Sequence, residues 1–460
     1  MTIDARPAHG KTLMVAVSMA LFCVQIDYFA MNLALPRMAS DFDSTATDLQ
    51  WIISIYMVTL GALMVPAGRL ADIFGRKRVL LIGITLFGLA SLLCAIAASV
   101  ATLVAFRALQ GVGAALIFPA SVSVITNAFP PAQSGRMIGL AYGIAGLGNA
   151  AGPLIGGLLT QTVGWRWIFA LNIPLAAACV LIGAFAISES RDTEAPRRID
   201  VAGLALLTAG IGVFTLTFDR ASAWGWWSLA TAGALTGAIA LLALFVVVER
   251  RVRWPLVDLS LARNMRFTVL VAAGSIANVA YGVTIFLSTV YLQDARGLDP
   301  LAAGLVFLGP SAGAAAGGVL SGRLAAGHPV RVMGVATILA AASLGLLAAA
   351  RDWALYVPTL TACGFTLGLV YAFTTVATQA VVSPQRAGEA AGIALTVMIV
   401  MGGVGVAVAS TMLERLRSTG MSTAGGIDVI FAILAAALLP AGLLVVAVAS
   451  RTADPASERC

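Results

Sequence analysis

One acidic side chain, Asp27, lies inside an otherwise apolar run of the sequence between Lys11 and Pro36. A run of this length can cross the hydrocarbon of a membrane, where a charge costs about 2.5–3.5 kcal/mol and usually marks the path of a proton or a substrate. Asp27 precedes Pro36 by nine residues, which predicts a depth of about 13 Å for a helix. Asp27 is therefore a candidate for reversible protonation.

A basic residue, Arg107, lies at a comparable depth in another apolar run. It follows Val100 by seven residues, which corresponds to about 11 Å of helix. We therefore expect Arg107 to approach Asp27 and to neutralise its charge. Burial favours the protonated carboxyl group, whereas a nearby guanidinium favours the ionised one. Such a balance suits a proton-coupling pair, and a static structural ion pair is the alternative.

The composition indicates what surrounds these charges. Of the 460 residues, 60% are hydrophobic and 11% are charged, whereas a soluble domain carries about 45–50% apolar and about 25% charged residues. This difference excludes a cytosolic enzyme, a nucleic-acid-binding module and a disordered protein. The net charge of +7 comes mostly from arginines at the ends of apolar runs, so we expect no nucleic-acid partner. The five cysteines lack the spacing of a metal site, and none is predicted.

Fourteen apolar runs are long enough to span a bilayer, and in lipid such runs form helices because only a helix satisfies its own backbone hydrogen bonds. The seventh run ends in Phe218-Asp219-Arg220, and a position at the membrane surface is the alternative for it. The predicted spans are residues 12–35, 50–70, 79–98, 100–127, 136–160, 166–188, 200–218, 228–248, 267–291, 301–322, 331–350, 354–379, 388–412 and 428–449.

The distribution of basic residues predicts the orientation of these spans. With an even number of spans and both termini in the cytoplasm, most of the 28 Lys and Arg residues fall on the cytoplasmic side, as the positive-inside rule requires. Dropping one span would spoil this bias. We therefore expect a multi-pass protein of a bacterial inner membrane with both termini in the cytoplasm.

The chain also contains an internal repeat at an offset of 253–254 residues. Gly68-Arg69-Leu70-Ala71 recurs as Gly322-Arg323-Leu324-Ala325, and several glycines recur at the same offset. Parallel repeats of this kind place a central site between two halves. The offset predicts an N-terminal six-helix bundle over 1–188, linkers and two inserted helices over 189–266, and a C-terminal six-helix bundle over 267–460. The second copy lacks the charges of the first, since Ala326 and Leu360 replace Asp72 and Arg107.

Two glycine-rich segments are candidates for the conformational switch between the halves. In the loop GRLADIFGRKR, an acid lies among basic residues and can pair with one of them or with a helix N-terminus across the interface. In the fifth span, glycines spaced by four let another helix approach closely, and Pro153 removes a backbone donor. A plain topology anchor and tight packing alone are the respective alternatives. The candidates are Gly68, Asp72, Gly75, Arg76, Arg78, Gly148, Gly152, Pro153, Gly156 and Gly157.

Polar and aromatic residues in the middle of spans are candidates for lining a substrate cavity, although each one alone is more often an interhelical contact. Around them the lining would be mainly Ala, Leu, Phe and Met, which suits a small amphipathic organic molecule. The acids of the second half lie near span ends, so no second buried acid is predicted. The candidates are Gln25, Tyr56, Tyr142, Asn149, Asn278, Tyr281, Tyr371 and Gln379.

Five segments carry a family resemblance that covers the chain from about Asp27 to Ala449. GRLADIFGRKR resembles the loop signature of the major facilitator superfamily, RALQGVG from Arg107 resembles its fourth-helix signature, and Gly139–Gly157 resembles its antiporter signature. DYFAMNLALP from Asp27 and WRWIFALNIP from Trp165 resemble the fourteen-span drug:proton antiporter branch. The chain departs from the first-helix pattern at Phe29, where threonine is usual.

The resemblance implies an all-α membrane protein with the major facilitator fold, and a proton-coupled antiporter that exports drugs, antiseptics or secondary metabolites by alternating access. A proton symporter or a facilitator of a small metabolite is the alternative. A membrane enzyme would need a cluster of His, Asp or Cys that the sequence lacks, and a sensor would need a soluble domain. We expect protons, lipid and substrate as partners, no cofactor beyond the proton gradient, and a monomer.

Overall fold

A computed structural model of the chain describes residues 7–31, 34–44, 46–191, 200–253, 255, 257, 259–324, 328–383 and 386–450. Within these ranges the regular structure is entirely helical. The helices are α1 (Pro7–Met31), α2 (Leu35–Asp41), α3 (Ala46–Phe74), α4 (Arg76–Ala95), α5 (Val100–Ala128), α6 (Pro131–Thr162), α7 (Arg166–Ala186), α8 (Val201–Trp224), α9 (Leu229–Glu249), α10 (Ser260–Arg263), α11 (Met265–Val290, continued by a π-helical turn, Tyr291–Ala295), α12 (Pro300–Leu324), α13 (Pro329–Ala349), α14 (Trp353–Ala380), α15 (Ala387–Ser418) and α16 (Thr423–Ser450).

Fourteen of the described helices are long and apolar enough to cross a bilayer, and only the short α2 and α10 are not. The fourteen predicted spans are therefore confirmed. The seventh run forms a helix of 24 residues, α8, whose segment Val201–Ala221 has the length of a span. Several helices extend beyond the apolar runs; α15, for example, continues through Arg415 and Arg417 to Ser418.

The internal repeat is visible as repeated helix packing. In the first half α5 packs against α3 and α4, α1 against α6, and α4 against α7. In the second half α14 packs against α12 and α13, α11 against α15, and α13 against α16. These are the same pairings eight spans later, because two inserted spans lie between the halves. The two inserted helices, α8 and α9, pack on each other, and α8 also contacts α3 and α15. The inserted pair is thus attached to both halves.

The two halves meet along two equivalent helix pairs, α3 with α15 and α12 with α6. We call the end of the bundle that carries the loop Gly68–Arg78 the basic end. Here a methyl group added at Gly68 would overlap the carbonyl oxygen of Gly388, and one added at Gly322 would lie 2.6 Å from the carbonyl oxygen of Arg136. Because backbone meets backbone at both contacts, the halves are tightly closed at the basic end.

Close glycine contacts also hold each half together. In the second half, a methyl group added at Gly364 of α14 would lie 2.6 Å from Cα of Pro310 in α12, a separation that carbon atoms do not adopt without displacement. Pro310 lies within α12, so the two helix backbones are in direct contact. Larger side chains would separate α12 from α14.

We expect Gly364→Ala to lower the melting temperature of the detergent-purified protein, because overpacking a tight contact costs about 1–3 kcal/mol. Gly233→Ala in α9 is the matched control, since a methyl group added there meets no atom within 4 Å. The control should melt at the wild-type temperature or slightly above it, because alanine favours helix more than glycine does. Equal melting temperatures for both variants would contradict this packing.

Candidate functional site

The predicted approach of Asp27 and Arg107 is present as a fully buried ion pair. Asp27 lies on α1 and Arg107 on α5, and Oδ2 of the carboxylate is 2.5 Å from Nη1 of the guanidinium. Both side chains have 0% of their surface exposed. Two full charges are therefore held against each other without water, where each depends on the other for neutralisation.

Two amide side chains complete the surroundings of the carboxylate. Gln110 donates from Nε2 to Oδ1 of Asp27 over 3.0 Å, and Asn172 donates from Nδ2 to the same oxygen over 2.9 Å. The sequence analysis did not select either residue. Gln110 follows Arg107 by nearly one helical turn, and Asn172 interrupts the apolar sequence of α7; both positions were available signals. The carboxylate thus binds α5 and α7 to α1.

The guanidinium has neutral partners besides the carboxylate. Nε of Arg107 donates to the carbonyl oxygen of Ile52 over 3.1 Å, and Nη1 also donates to Oε1 of Gln110 over 2.7 Å. The ring of Tyr56 lies 4.1 Å from Cζ of Arg107 and is fully buried. Tyr56 was predicted to line the substrate cavity, and this is wrong, because its ring stacks on Arg107 inside the first half.

A cavity of about 410 Å³ lies between the two halves. Its walls come from α1, α3, α5, α6 and α8 on one side and α11, α12, α14 and α15 on the other. Six of the eight predicted lining residues are at this cavity: Gln25, Tyr142, Asn149, Asn278, Tyr281 and Tyr371. Gln379 is not, because it lies at the end of α14 and donates from Nε2 to the carbonyl oxygen of Ala387 over 3.2 Å. A substrate-binding role for the six remains a prediction.

The cavity offers aromatic faces and a few polar groups. The rings of Tyr142 and Tyr371 meet edge to face across the two halves with centroids 5.6 Å apart. The adjacent rings of Tyr28 and Phe29 on α1 also meet edge to face, with centroids 4.9 Å apart. No group of three or more His, Cys, Asp or Glu that could hold a metal ion occurs within the described ranges. Rings, hydroxyls, amides and one carboxylate, Asp219, thus determine what the cavity can bind.

The ion pair does not open into this cavity. Tyr28, the neighbour of Asp27 in the chain, lines the cavity, and its ring stacks on that of Tyr56 with centroids 6.4 Å apart. Tyr56 in turn covers Arg107. Two tyrosine rings therefore separate the cavity from the buried charges in this conformation.

A second charged cluster lies at the basic end, around Asp72. Oδ1 of Asp72 accepts hydrogen bonds from Nε and Nη2 of Arg76 at 3.0 and 2.9 Å, and Oδ2 accepts the backbone N–H of Glu389 over 3.3 Å. Glu389 lies in the first turn of α15, so the carboxylate of the first half binds a helix N-terminus of the second. The sequence analysis predicted a basic residue of the same loop or a helix N-terminus across the interface as the partner of Asp72, and the structure contains both.

Gly75 lies at the reversal between α3 and α4. Its φ angle is +113°, and a methyl group added there would lie 2.6 Å from the carboxylate of Glu189. Glu189 accepts the backbone N–H groups of Lys77 and Arg78, both at 3.1 Å, and so caps α4. The sequence analysis missed Glu189, whose only signal is an acid after the sixth span. The side chain of Arg78 itself is exposed.

The glycines of α6 form two stripes on different faces. A methyl group at Gly148 would lie 2.8 Å from the carbonyl oxygen of Phe22, one at Gly152 would lie 2.6 Å from Cβ of Phe29, and Gly156 contacts Ala30. This stripe packs on α1. Gly157 lies beside it and is half-buried, whereas the ring of Pro153 is outside the described side chains.

A second stripe of glycines on α6 faces the second half, and the sequence analysis did not recognise that it lies on a different face from the first. Gly139 and Gly143 face the second half, where added methyl groups would lie 2.7 Å from the backbone nitrogen of Gly322 and 3.0 Å from that of Val319. Gly146 continues this face against Ala315. The spacing of four and then three residues was the available signal. One helix, α6, therefore approaches both α1 and α12 closely through its glycines.

The profile of the Major Facilitator Superfamily matches residues 17–406. This chain belongs to the major facilitator superfamily. Its solved structural neighbour, the human organic anion transporter MFSD10 (TETRAN), shares the fold with a TM-score of 0.69 over 96% of this chain and 100% of that one, at 14% sequence identity. The predicted family and fold are thus confirmed.

Curated relatives of the transporter are resistance and export proteins. The chain is 32% identical to the tetracenomycin C resistance and export protein of Streptomyces glaucescens, over 87% of this chain and 75% of the relative. It is 33% identical to the puromycin resistance protein pur8 of Streptomyces alboniger over 89% and 82%, and 30% identical to the methylenomycin A resistance protein of Bacillus subtilis over 99% and 98%. The chain is therefore a multi-pass membrane transporter and not an enzyme.

We expect Arg107→Met to lower the melting temperature strongly, because removing one partner of a buried ion pair costs about 3–5 kcal/mol. The double variant Asp27→Asn/Arg107→Met should recover part of this loss, because it removes the uncompensated carboxylate as well. Melting curves of the purified variants in detergent form the double-mutant cycle. If the two single effects simply add in the double variant, the charges do not depend on each other.

We expect Asp72→Asn to loosen the closed basic end. Loss of about 1 kcal/mol of hydrogen bonding shifts an opening equilibrium roughly fivefold. Ser123 is buried beside Gly388 at this contact, so a cysteine introduced there should react several-fold faster with a water-soluble maleimide in the Asp72→Asn background. Arg78→Gln, which changes an exposed side chain of the same loop, should leave the rate unchanged. Equal rates in both backgrounds would exclude Asp72 from closing this end.

Proposed function

We propose that this transporter is a proton-coupled antiporter that exports small amphipathic organic compounds across a bacterial plasma membrane by alternating access. The observation that carries the proposal is the buried pair of Asp27 and Arg107 next to a central cavity. The relatives support the direction of transport and the substrate class, since they are named for resistance to tetracenomycin C, puromycin and methylenomycin A.

Protonation of Asp27 changes the charge balance of the first half. Arg107 has 0% of its side chain exposed, so neutralising the carboxyl group leaves a buried guanidinium with the Ile52 carbonyl, the Gln110 amide and the Tyr56 ring as partners. A buried charge without its counterion is costly. The protonated form therefore favours a different arrangement of α1, α5 and α7 from the ionised form.

The first helix links this change to the substrate. Asp27 faces α5 and α7, while Gln25, Tyr28 and Phe29 on the same helix line the cavity. A displacement of α1 at Asp27 therefore moves the cavity wall. If protonation of Asp27 and binding of substrate each favour a different position of α1, the proton and the substrate bind in different conformations. This is the condition for antiport.

Opening and closing of the basic end control the step at which substrate enters the cavity. The excess of Lys and Arg on this side of the predicted spans supports a cytoplasmic position for this end and for both termini. Substrate entry from the cytoplasm then requires that the bond between Asp72 and the N-terminus of α15 opens. Proton entry supplies about 2.3 kcal/mol per charge per 100 mV of membrane potential, so the cycle uses no cofactor. We propose that the monomer is the transporting unit.

A proton symporter or facilitator of a small metabolite would use the same fold. In inverted vesicles the two functions differ in sign, because an antiporter accumulates substrate when the lumen is acidified and a symporter releases it. The resistance relatives favour the antiporter.

We expect Asp27→Asn to abolish proton-driven substrate accumulation in inverted vesicles, because the asparagine neither binds nor releases a proton. The variant should still fold and insert, because the amide oxygen can replace Oδ2 as the acceptor for Arg107. The amide nitrogen can then donate to Asn172 once that side chain turns its Oδ1, which has no hydrogen-bond partner among the described residues, toward it. Asp352→Asn is the matched control, because Asp352 is exposed and its side chain caps no backbone group. Accumulation by Asp27→Asn at the rate of the control would remove Asp27 from the mechanism.

A further inference from the structure

The central cavity contains one acidic side chain among its described lining residues, and it comes from an inserted helix. Asp219 lies near the end of α8, and Thr215 of the same helix lines the cavity one turn earlier. In the sequence analysis, Asp219 marked the end of the seventh run and received no role. Its position now shows that α8 forms part of the cavity wall.

The carboxylate of Asp219 accepts fewer hydrogen bonds than that of Asp27. Ser54 donates from Oγ to Oδ1 of Asp219 over 2.7 Å, and no other hydrogen bond to the carboxylate occurs among the described residues. Nearly a quarter of the side chain, 24%, is exposed. Because Oδ2 is shielded, this exposed surface belongs to the rest of the side chain. The carboxyl group is thus at the cavity wall, and a cation in the cavity would contact Oδ2 only by taking the place of Arg220 beside it.

The counterion of Asp219 is held loosely. Nε of Arg220 lies 3.5 Å from Oδ2, beyond a strong charge-assisted hydrogen bond. The guanidinium has a separate partner, since its Cζ lies 3.6 Å from the centroid of the Trp51 ring. Nε and Nη2 of Arg220 have no hydrogen-bond partner among the described residues, so the Trp51 ring is the contact that would hold the guanidinium if another cation took its place beside the carboxylate.

The neighbouring walls suit the apolar part of such a ligand. Tyr28 and Phe29 of α1 and Tyr281 and Phe286 of α11 contribute aromatic rings to the same cavity as Asp219. Aromatic faces attract organic cations and also bury flat apolar groups. The described lining therefore offers one carboxylate, for which a substrate cation would compete with Arg220.

We propose that Asp219 binds the cationic group of monovalent amphipathic substrates, and that the inserted helix α8 is part of the substrate site rather than a spacer between the halves. Ser54 orients the carboxylate, and Arg220 is the counterion that the substrate displaces. The proposal rests on the proposed function to the extent that the cavity is the substrate cavity. It does not depend on proton coupling, which is assigned to Asp27.

The test compares the binding of a cationic and a neutral probe to the purified full chain in detergent. Ethidium carries one positive charge and chloramphenicol carries none, and binding is followed by fluorescence and by calorimetry. In Asp219→Asn the ratio of ethidium affinity to chloramphenicol affinity should fall roughly tenfold or more, as expected for the loss of a charge-assisted interaction. In Asp352→Asn, the exposed control, the ratio should equal that of the wild type.

A second variant gives a change of the opposite sign. Arg220→Gln removes the competing cation, so ethidium should bind more tightly than to the wild type. A general loss of structure would weaken both probes in both variants and cannot produce opposite shifts. Absence of ethidium binding to the wild type, or an unchanged affinity ratio in Asp219→Asn, would overturn the cation site.

Proton coupling is tested separately, so the two proposals can fail independently. If Asp219→Asn binds both probes normally but loses proton-driven accumulation in inverted vesicles, Asp219 is a coupling group and the cation site is wrong. If Asp27→Asn still accumulates substrate while Asp219→Asn shows the expected loss of ethidium binding, the antiport mechanism fails and the cation site stands.

Discussion

The ion pair between Asp27 and Arg107 constrains the whole first half of the transporter. Two charges without exposed surface persist only if their partners hold them in place, and those partners come from α1, α3, α5 and α7. The fold therefore cannot change the protonation of one group without changing the positions of several helices. This property, more than the presence of an acid in a membrane helix, suits the pair to couple a proton to movement.

The second half carries the same packing without the same charges. Leu360 and Ala326 occupy the positions that repeat Arg107 and Asp72, yet α12, α14 and α15 pair as their counterparts do. At the basic end the second half supplies a backbone N–H of α15, and the first half supplies the carboxylate that accepts it. The buried ion pair and the carboxylate that closes the basic end thus both lie in the first half, and the second half provides the helix N-terminus that this carboxylate binds.

The sequence predicted well how deep a residue lies in the membrane. It predicted poorly which neighbouring helix the side chain of that residue faces. Apolar length determined the fourteen spans, and counting from span ends placed Asp27 and Arg107 at one level. The same counting could not tell that Tyr56 faces Arg107 or that Gln379 faces Ala387, because that depends on how each helix is rotated in its bundle. Asp219 was overlooked for a related reason: a charge at the end of an apolar run suggests the membrane boundary, whereas here it borders the central cavity inside the protein.

The two glycine faces of α6 have a mechanical consequence. On one face the glycine backbone of α6 lies close to α1, and on the other it lies close to α12, so little side-chain volume separates α6 from either neighbour. A displacement of α1 should therefore move α6, and with it the contact between α6 and α12 at the boundary of the two halves. Slow, graded adjustment is thereby disfavoured, and the bundle should respond to a single proton by stepping between discrete arrangements.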